Sequence, residues 1–156
     1  MRNLDRRTFV ELAGVAAVAP ALAGCSSGSN GGDGGGSEYD FVDEEPDYAG
    51  WFDDVSNYEG TVDRTGDSEV TVLNGTGPSG KQFEPPAIQV DAGTTVIWEW
   101  TGDGSHNVVA ESGAFRSDIV QRSGFTFEYT FEEGGIHEYV CEPHRTVGMK
   151  GAVVVR

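Results

Sequence analysis

The stretch Ile136-His137-Glu138-Tyr139-Val140-Cys141-Glu142-Pro143-His144-Arg145-Thr146-Val147-Gly148-Met149-Lys150-Gly151-Ala152-Val153-Val154-Val155 carries the most specific signal in the chain. Two strand-like runs, Ile136 to Cys141 and Ala152 to Val155, flank a short loop. Within the loop the spacing Cys-x2-His-x4-Met lets one turn at a strand end point Cys141, His144 and Met149 inward. A fourth soft or borderline ligand, His106, lies upstream at the start of an apolar run. It must come from a neighbouring strand, so the fold has to bring the two strand ends together.

One thiolate, two imidazoles and one thioether form the donor set of a redox copper site. Thiolate and thioether select Cu(I), imidazole suits both oxidation states, and a weak axial Met marks electron-transfer copper. Zinc also takes Cys and His, but Met is not among its usual ligands, and a structural zinc site shows several cysteines. Alone, Met149 reads as a core gap-filler and Cys141 as a small buried hydrophobe. The spacing argues against both.

Two further polar residues need placing. His137 lies four residues before Cys141, about 13 Å along a strand at roughly 3.3 Å per residue. It shares a face with Cys141, cannot share a metal with it, and reads as a core or barrel-end histidine. Asn107 follows His106 directly. Its amide is placed to hydrogen-bond across to the Cys141 loop and fix both ligands; the alternative is an ordinary polar strand residue.

Outward from this stretch, the sequence from Glu69 onward reads as short strands separated by turns. Val70 to Leu73 is one, ended by Asn74-Gly75; Ala87 to Val90 is the next, followed by Asp91-Ala92-Gly93. Thr95 to Trp100 alternates, with Val96, Trp98 and Trp100 on one face. His106 to Ala110 and Phe125 to Phe131 follow, the latter with Phe125, Phe127, Tyr129 and Phe131 on one face. No long helical pattern is present. Seven or eight short strands with Gly-rich turns predict an all-β sandwich or barrel.

These residues carry a resemblance. The chain resembles the cupredoxins and, within them, the halocyanins of haloarchaea, over about residues 51 to 156. The resemblance rests on Thr61-Val62-Asp63-Arg64-Thr65-Gly66, on Val96-Ile97-Trp98-Glu99-Trp100-Thr101-Gly102, on His106-Asn107-Val108-Val109, and on Cys141-Glu142-Pro143-His144 through Gly148-Met149-Lys150-Gly151. It implies a cupredoxin-like Greek-key β-sandwich with one copper ion at one end. The ligands would be His106, Cys141, His144 and Met149, with Asn107 and Pro143 supporting them. It also implies that His144 is the solvent-near ligand, rimmed by Pro143, Val147 and Gly148.

The N-terminus reads Asp5-Arg6-Arg7-Thr8-Phe9-Val10, a twin-arginine export pattern. The apolar run Leu12 to Ala23 is interrupted by Gly14 and Pro20 and is too short for a stable span. It ends Leu22-Ala23-Gly24-Cys25, which resembles a lipobox, so cleavage before Cys25 would leave its thiol for lipid attachment. The alternative is a plain signal peptide with Cys25 free. Because Cys25 and Cys141 are the two cysteines of the chain, either route leaves Cys141 available for metal. The expected organisation is a signal peptide over 1–24, a lipidated Cys25 and flexible linker over 25–40, an N-terminal extension over 41–66, and the copper domain over 67–156. Ser26 to Ser37 is almost wholly Gly, Ser, Asn and Asp, a tether with a reach of roughly 20 Å. In the extension, Trp51, Phe52, Val55 and Tyr58 have near-helical spacing. This segment is expected to be a short helix or loop packing on the barrel, or a partner contact.

The formal net charge is -16. Segment 1–24 carries three arginines against Asp5 and Glu11, so the remainder is near −17. Such a field excludes nucleic acid as a partner and repels acidic substrates. The carboxylates are spread along the chain, which favours adaptation to high salt over steering of a basic partner; in molar salt the Debye length is about 3 Å.

The leading functional expectation is a monomeric one-electron carrier, lipid-anchored at the external face of the cell membrane and serving membrane-bound redox proteins of cytochrome or terminal oxidase type. Copper storage or delivery is the alternative. An enzyme is disfavoured, because His106, His137 and His144 leave no second histidine cluster for a catalytic copper.

Overall fold

A computed structural model describes residues 38–156. The expected signal peptide, Cys25 and most of the expected linker lie outside the described residues.

Among the described residues, nine strands form two sheets packed face to face. In chain order they are β1 (Val62–Asp63), β2 (Glu69–Thr76), β3 (Gln82–Glu84), β4 (Ala87–Val90), β5 (Thr94–Trp100), β6 (Val109–Ala110), β7 (Thr126–Phe131), β8 (Gly135–Val140) and β9 (Lys150–Val155). One sheet has the order β1-β4-β9-β8-β6, the other β3-β2-β5-β7. Both mix parallel and antiparallel pairs: β2 runs parallel to β5 and β4 to β9, while β5–β7 and β8–β9 are antiparallel. Crossing between the sheets in this way gives the Greek-key sandwich.

Alternation along the strands builds the core. Val96, Trp98 and Trp100 of β5 are fully buried, and Val70 and Val72 of parallel β2 lie beside them. Phe131 closes one end, with Phe125, Phe127 and Tyr129 half-buried against the same cluster. Tyr139 of β8 meets the Trp98 ring edge-on at 5.2 Å between centroids, a preferred aromatic geometry.

Four details refine the sequence reading. First, β2 does not end at Asn74-Gly75; it runs to Thr76 through a register shift between Asn74 and Thr76. Gly75 has φ +99°, and a Cβ there would meet Thr101 Oγ1 at 2.7 Å. The asparagine–glycine pair therefore makes a bulge pressed against the neighbouring loop, not a turn. Second, His106 to Ala110 is not one continuous strand. Only Val109–Ala110 joins a sheet, while His106 pairs singly with Val120.

Third, of the alternatives expected for the extension, it takes the loop that packs on the sandwich. It turns through successive bonds, Trp51 N–H to Tyr48 O (2.9 Å), Val55 N–H to Phe52 O (3.0 Å) and Tyr58 N–H to Val55 O (3.3 Å). Its aromatic face packs as a second cluster, Tyr48, Phe52 and Val55 against Ala87 and Ala152. Two small residues on adjacent strands leave room for that extra layer. Fourth, Tyr39 already packs on the main core and Asp40 O accepts from Asp63 N–H at 2.8 Å, so the domain begins before the expected end of the linker.

Candidate metal centre

The ligand loop is a 3₁₀ segment, Glu142–Val147, between β8 and β9. Cys141 stands just before it in extended conformation, and Gly148 ends it at φ 83°. This left-handed residue frees the chain to reverse at Met149. Two backbone bonds close the loop on itself: Cys141 N–H to Met149 O (3.0 Å) and Met149 N–H to His144 O (3.2 Å). Cys141, His106 and Met149 are fully buried, whereas His144 is half-exposed.

His106 arrives from the other side. Its N–H and C=O pair with Val120 at 3.0 and 2.9 Å. The buried Trp100 indole also donates to His106 O at 3.0 Å. His106 Nε2 lies 2.6 Å from Asp103 O. A carbonyl only accepts, so Nε2 carries the proton and Nδ1 presents a bare lone pair.

That lone pair faces the other two donors. His106 Nδ1 is 3.1 Å from His144 Nδ1 and 3.6 Å from Cys141 Sγ, and His144 Nδ1 is 3.5 Å from the sulfur. Among the described residues, these three donor atoms all lie within 4.8 Å of one another. A triangle with sides of 3.1, 3.5 and 3.6 Å has a circumscribed radius of about 2.0 Å, close to metal–nitrogen and metal–sulfur bond lengths of about 2.0–2.3 Å. Each side of the triangle is also within hydrogen-bond reach, so protons on His144 Nδ1 and the Cys141 thiol bridge it in the metal-free protein, and a bound cation would take their place. The donor set therefore fits a soft metal ion.

Electrostatics agree. Burial pushes the Cys141 thiol up, while N–H groups of Asn107 and His144 directed at the sulfur oppose that shift and favour the thiolate. Burial also pushes His144 down, with its neighbours His106 and Lys81 adding to it, which favours the neutral imidazole that ligates.

Asn107, fully buried, bridges the two halves of the site. Its Oδ1 accepts from Glu142 N–H and its Nδ2 donates to Glu142 Oε2, both at 2.9 Å. Arg116 grips the same carboxylate through two bonds of 2.8 and 2.6 Å and, with Asn107, holds Glu142 below the usual carboxylate range. Pro143 is exposed at the start of the 3₁₀ segment. His137 is half-buried; its Nε2 pairs with Glu133 O at 2.8 Å in the turn before β8, and it stands outside the donor triangle. Sequence reasoning did not single out Ser117, Arg116 or the Asp103 carbonyl, which no residue spacing marks.

Similarity to known proteins agrees with this geometry. The family model "Copper binding proteins, plastocyanin/azurin family" matches residues 70–156. A halocyanin of Natronomonas pharaonis is 48% identical, the alignment covering 99% of each chain. The chain belongs to the plastocyanin/azurin family of copper-binding proteins. A plastocyanin of Scenedesmus fuscus is 33% identical over 56% of this chain and 100% of its own. The solved structure of a mutant plastocyanin of fern superposes with a TM-score of 0.51, at 24% identity over 56% of this chain and 100% of that one, which supports the fold. As a family member the protein is a blue copper protein with one site, and the metal triangle lies inside the matched region.

Proposed function

We propose that the protein carries single electrons from the external face of a membrane, tethered by lipid on Cys25 and exchanging electrons with membrane-bound redox proteins of cytochrome or terminal oxidase type. The observation that carries this reading is the preset triangle with one of its three corners half-exposed. Copper bound there supplies the one-electron couple between Cu(II) and Cu(I).

The residues do the rest. His106, Cys141, His144 and Met149 would hold the ion, through two imidazoles, a thiolate and a thioether. Backbone bonds at Val120, Met149 and Asp103 hold the donors in one arrangement, so little has to move when the charge changes. His144 gives the shortest route to solvent, beside exposed Pro143 and Val147. The twin-arginine pattern and the Leu22-Ala23-Gly24-Cys25 sequence support export and anchoring.

The test is the visible spectrum of the copper-loaded, oxidised protein in high salt. An intense blue band that bleaches with ascorbate and returns on reoxidation is expected. A colourless protein that releases its metal on reduction would favour copper delivery and overturn the carrier.

A further inference from the structure

The family match begins at residue 70, yet residues of the preceding extension touch the ligand loop on both sides of Met149. On one side, a Cβ on Gly148 would lie 2.0 Å from Asp54 O, so the two backbones are in direct contact. On the other, Lys150 Nζ binds Asp54 Oδ1 at 2.8 Å and sits 5.0 Å from the centre of the Trp51 ring. Only 16% of the Lys150 side chain is exposed, which tucks the cation against the indole, while the Asp54 carboxylate that meets it is 49% exposed. One residue further, the Trp51 indole donates to Gly151 O at 3.1 Å. The inner side of Gly151 is filled as well, since a Cβ there would meet the Tyr139 ring at 2.3 Å. The start of β9 is thus gripped between Tyr139 inside and Trp51 outside.

Resting on the copper reading above, we infer that Trp51 and Asp54 are positioning residues that clamp the loop around Met149 and so set the reduction potential of the site. Met149 has its own backbone bonds only toward Cys141 and His144, on the inner side. The extension supplies the outer side and limits how far the thioether can retreat. A thioether favours Cu(I). Loosening the clamp therefore costs Cu(I) more affinity than Cu(II), and the potential falls.

The experiment uses the copper-loaded full chain, with Asp54→Asn and Trp51→Phe tested singly and together. Asp54→Asn removes the ionic contact at nearly constant volume; Trp51→Phe removes the indole N–H and keeps a ring. Tyr58→Phe is the control. It removes a hydroxyl that bonds Glu45 within the same extension rather than the loop. Redox titration of the double variant is expected to show the Cu(I)-to-Cu(II) affinity ratio reduced by about three- to tenfold, a tenfold change being 59 mV for one electron. Tyr58→Phe is expected to lower thermal stability and leave the potential in place. Clamp variants that keep the wild-type potential, even with a lowered melting temperature, overturn the inference. A wild-type protein without the blue band instead overturns the copper-carrier reading on which it rests.

Discussion

Ser117→Ala removes a hydroxyl that makes two hydrogen bonds, one of which holds the His106 segment to the body of the sandwich. Val108 is fully buried, and its N–H donates to Ser117 Oγ at 2.8 Å. Ser117 N–H returns a bond to Val108 O at 2.9 Å, and its hydroxyl donates to Asp118 O at 3.1 Å. Alanine keeps the backbone bond and removes the acceptor, leaving a buried N–H unpaired. That costs about 1–3 kcal/mol. For a domain of this size, a mid-range loss of about 2 kcal/mol lowers Tm by roughly 6–12 °C. The comparison is Ser112→Ala, where the hydroxyl accepts from Ala114 N–H at 3.3 Å in an exposed turn; water replaces that partner and Tm should hold. Circular dichroism melts of the metal-free proteins, run side by side in the same salt, provide the assay. Equal melting temperatures for the two variants would refute the reasoning, because burial would then not distinguish them.

Four other outcomes are expected. Met149→Gln keeps copper and lowers the reduction potential; an unmoved potential in redox titration removes Met149 from the ligand set. Cys141→Ser loses the intense visible band even where metal still binds, and persistence of the band in the absorption spectrum would sink the thiolate assignment. Burial raises the Cys141 thiol above its ordinary value, so at neutral pH copper uptake releases a proton, and apparent affinity falls about tenfold per unit of acidification from this group. His144, pushed below its ordinary value, adds a second proton only in the acid range, so competition titrations at several pH values should steepen there. Finally, Cys25→Ser should move the protein from the membrane fraction to the soluble fraction on centrifugation; retention in the membrane would reject the lipid anchor.

Much of the fold was legible because period-two alternation survives wherever one strand face is buried. Thr94–Trp100 shows this, with three large side chains inward. Gln82–Glu84 was not legible: only Phe83 is buried, and one apolar residue has no period. Its pairing is imposed by antiparallel contact with β2. Asn74-Gly75 carried a turn signal because that pair favours positive φ, and Gly75 does adopt it; only close approach to Thr101 and His106 makes it a bulge. At the site, donor chemistry marked His106, Cys141, His144 and Met149, because few other functions need those four atoms together. Ser117 and Arg116 were silent, since Arg116-Ser117-Asp118 reads as an ordinary polar loop and their roles depend on what the fold places opposite.

The donor triangle has a practical consequence for anyone producing the protein. A radius of about 2.0 Å accommodates zinc as readily as copper, since zinc–nitrogen and zinc–sulfur bonds are about 2.0–2.3 Å. A site this rigid cannot reject the wrong ion by shape. Selection falls to the Irving–Williams order and to whichever ion is available at folding. Chains made in a zinc-rich host cytoplasm should therefore emerge as a mixture, part of it colourless and redox-silent. Native mass spectrometry before any titration would give the fraction of molecules that can turn blue.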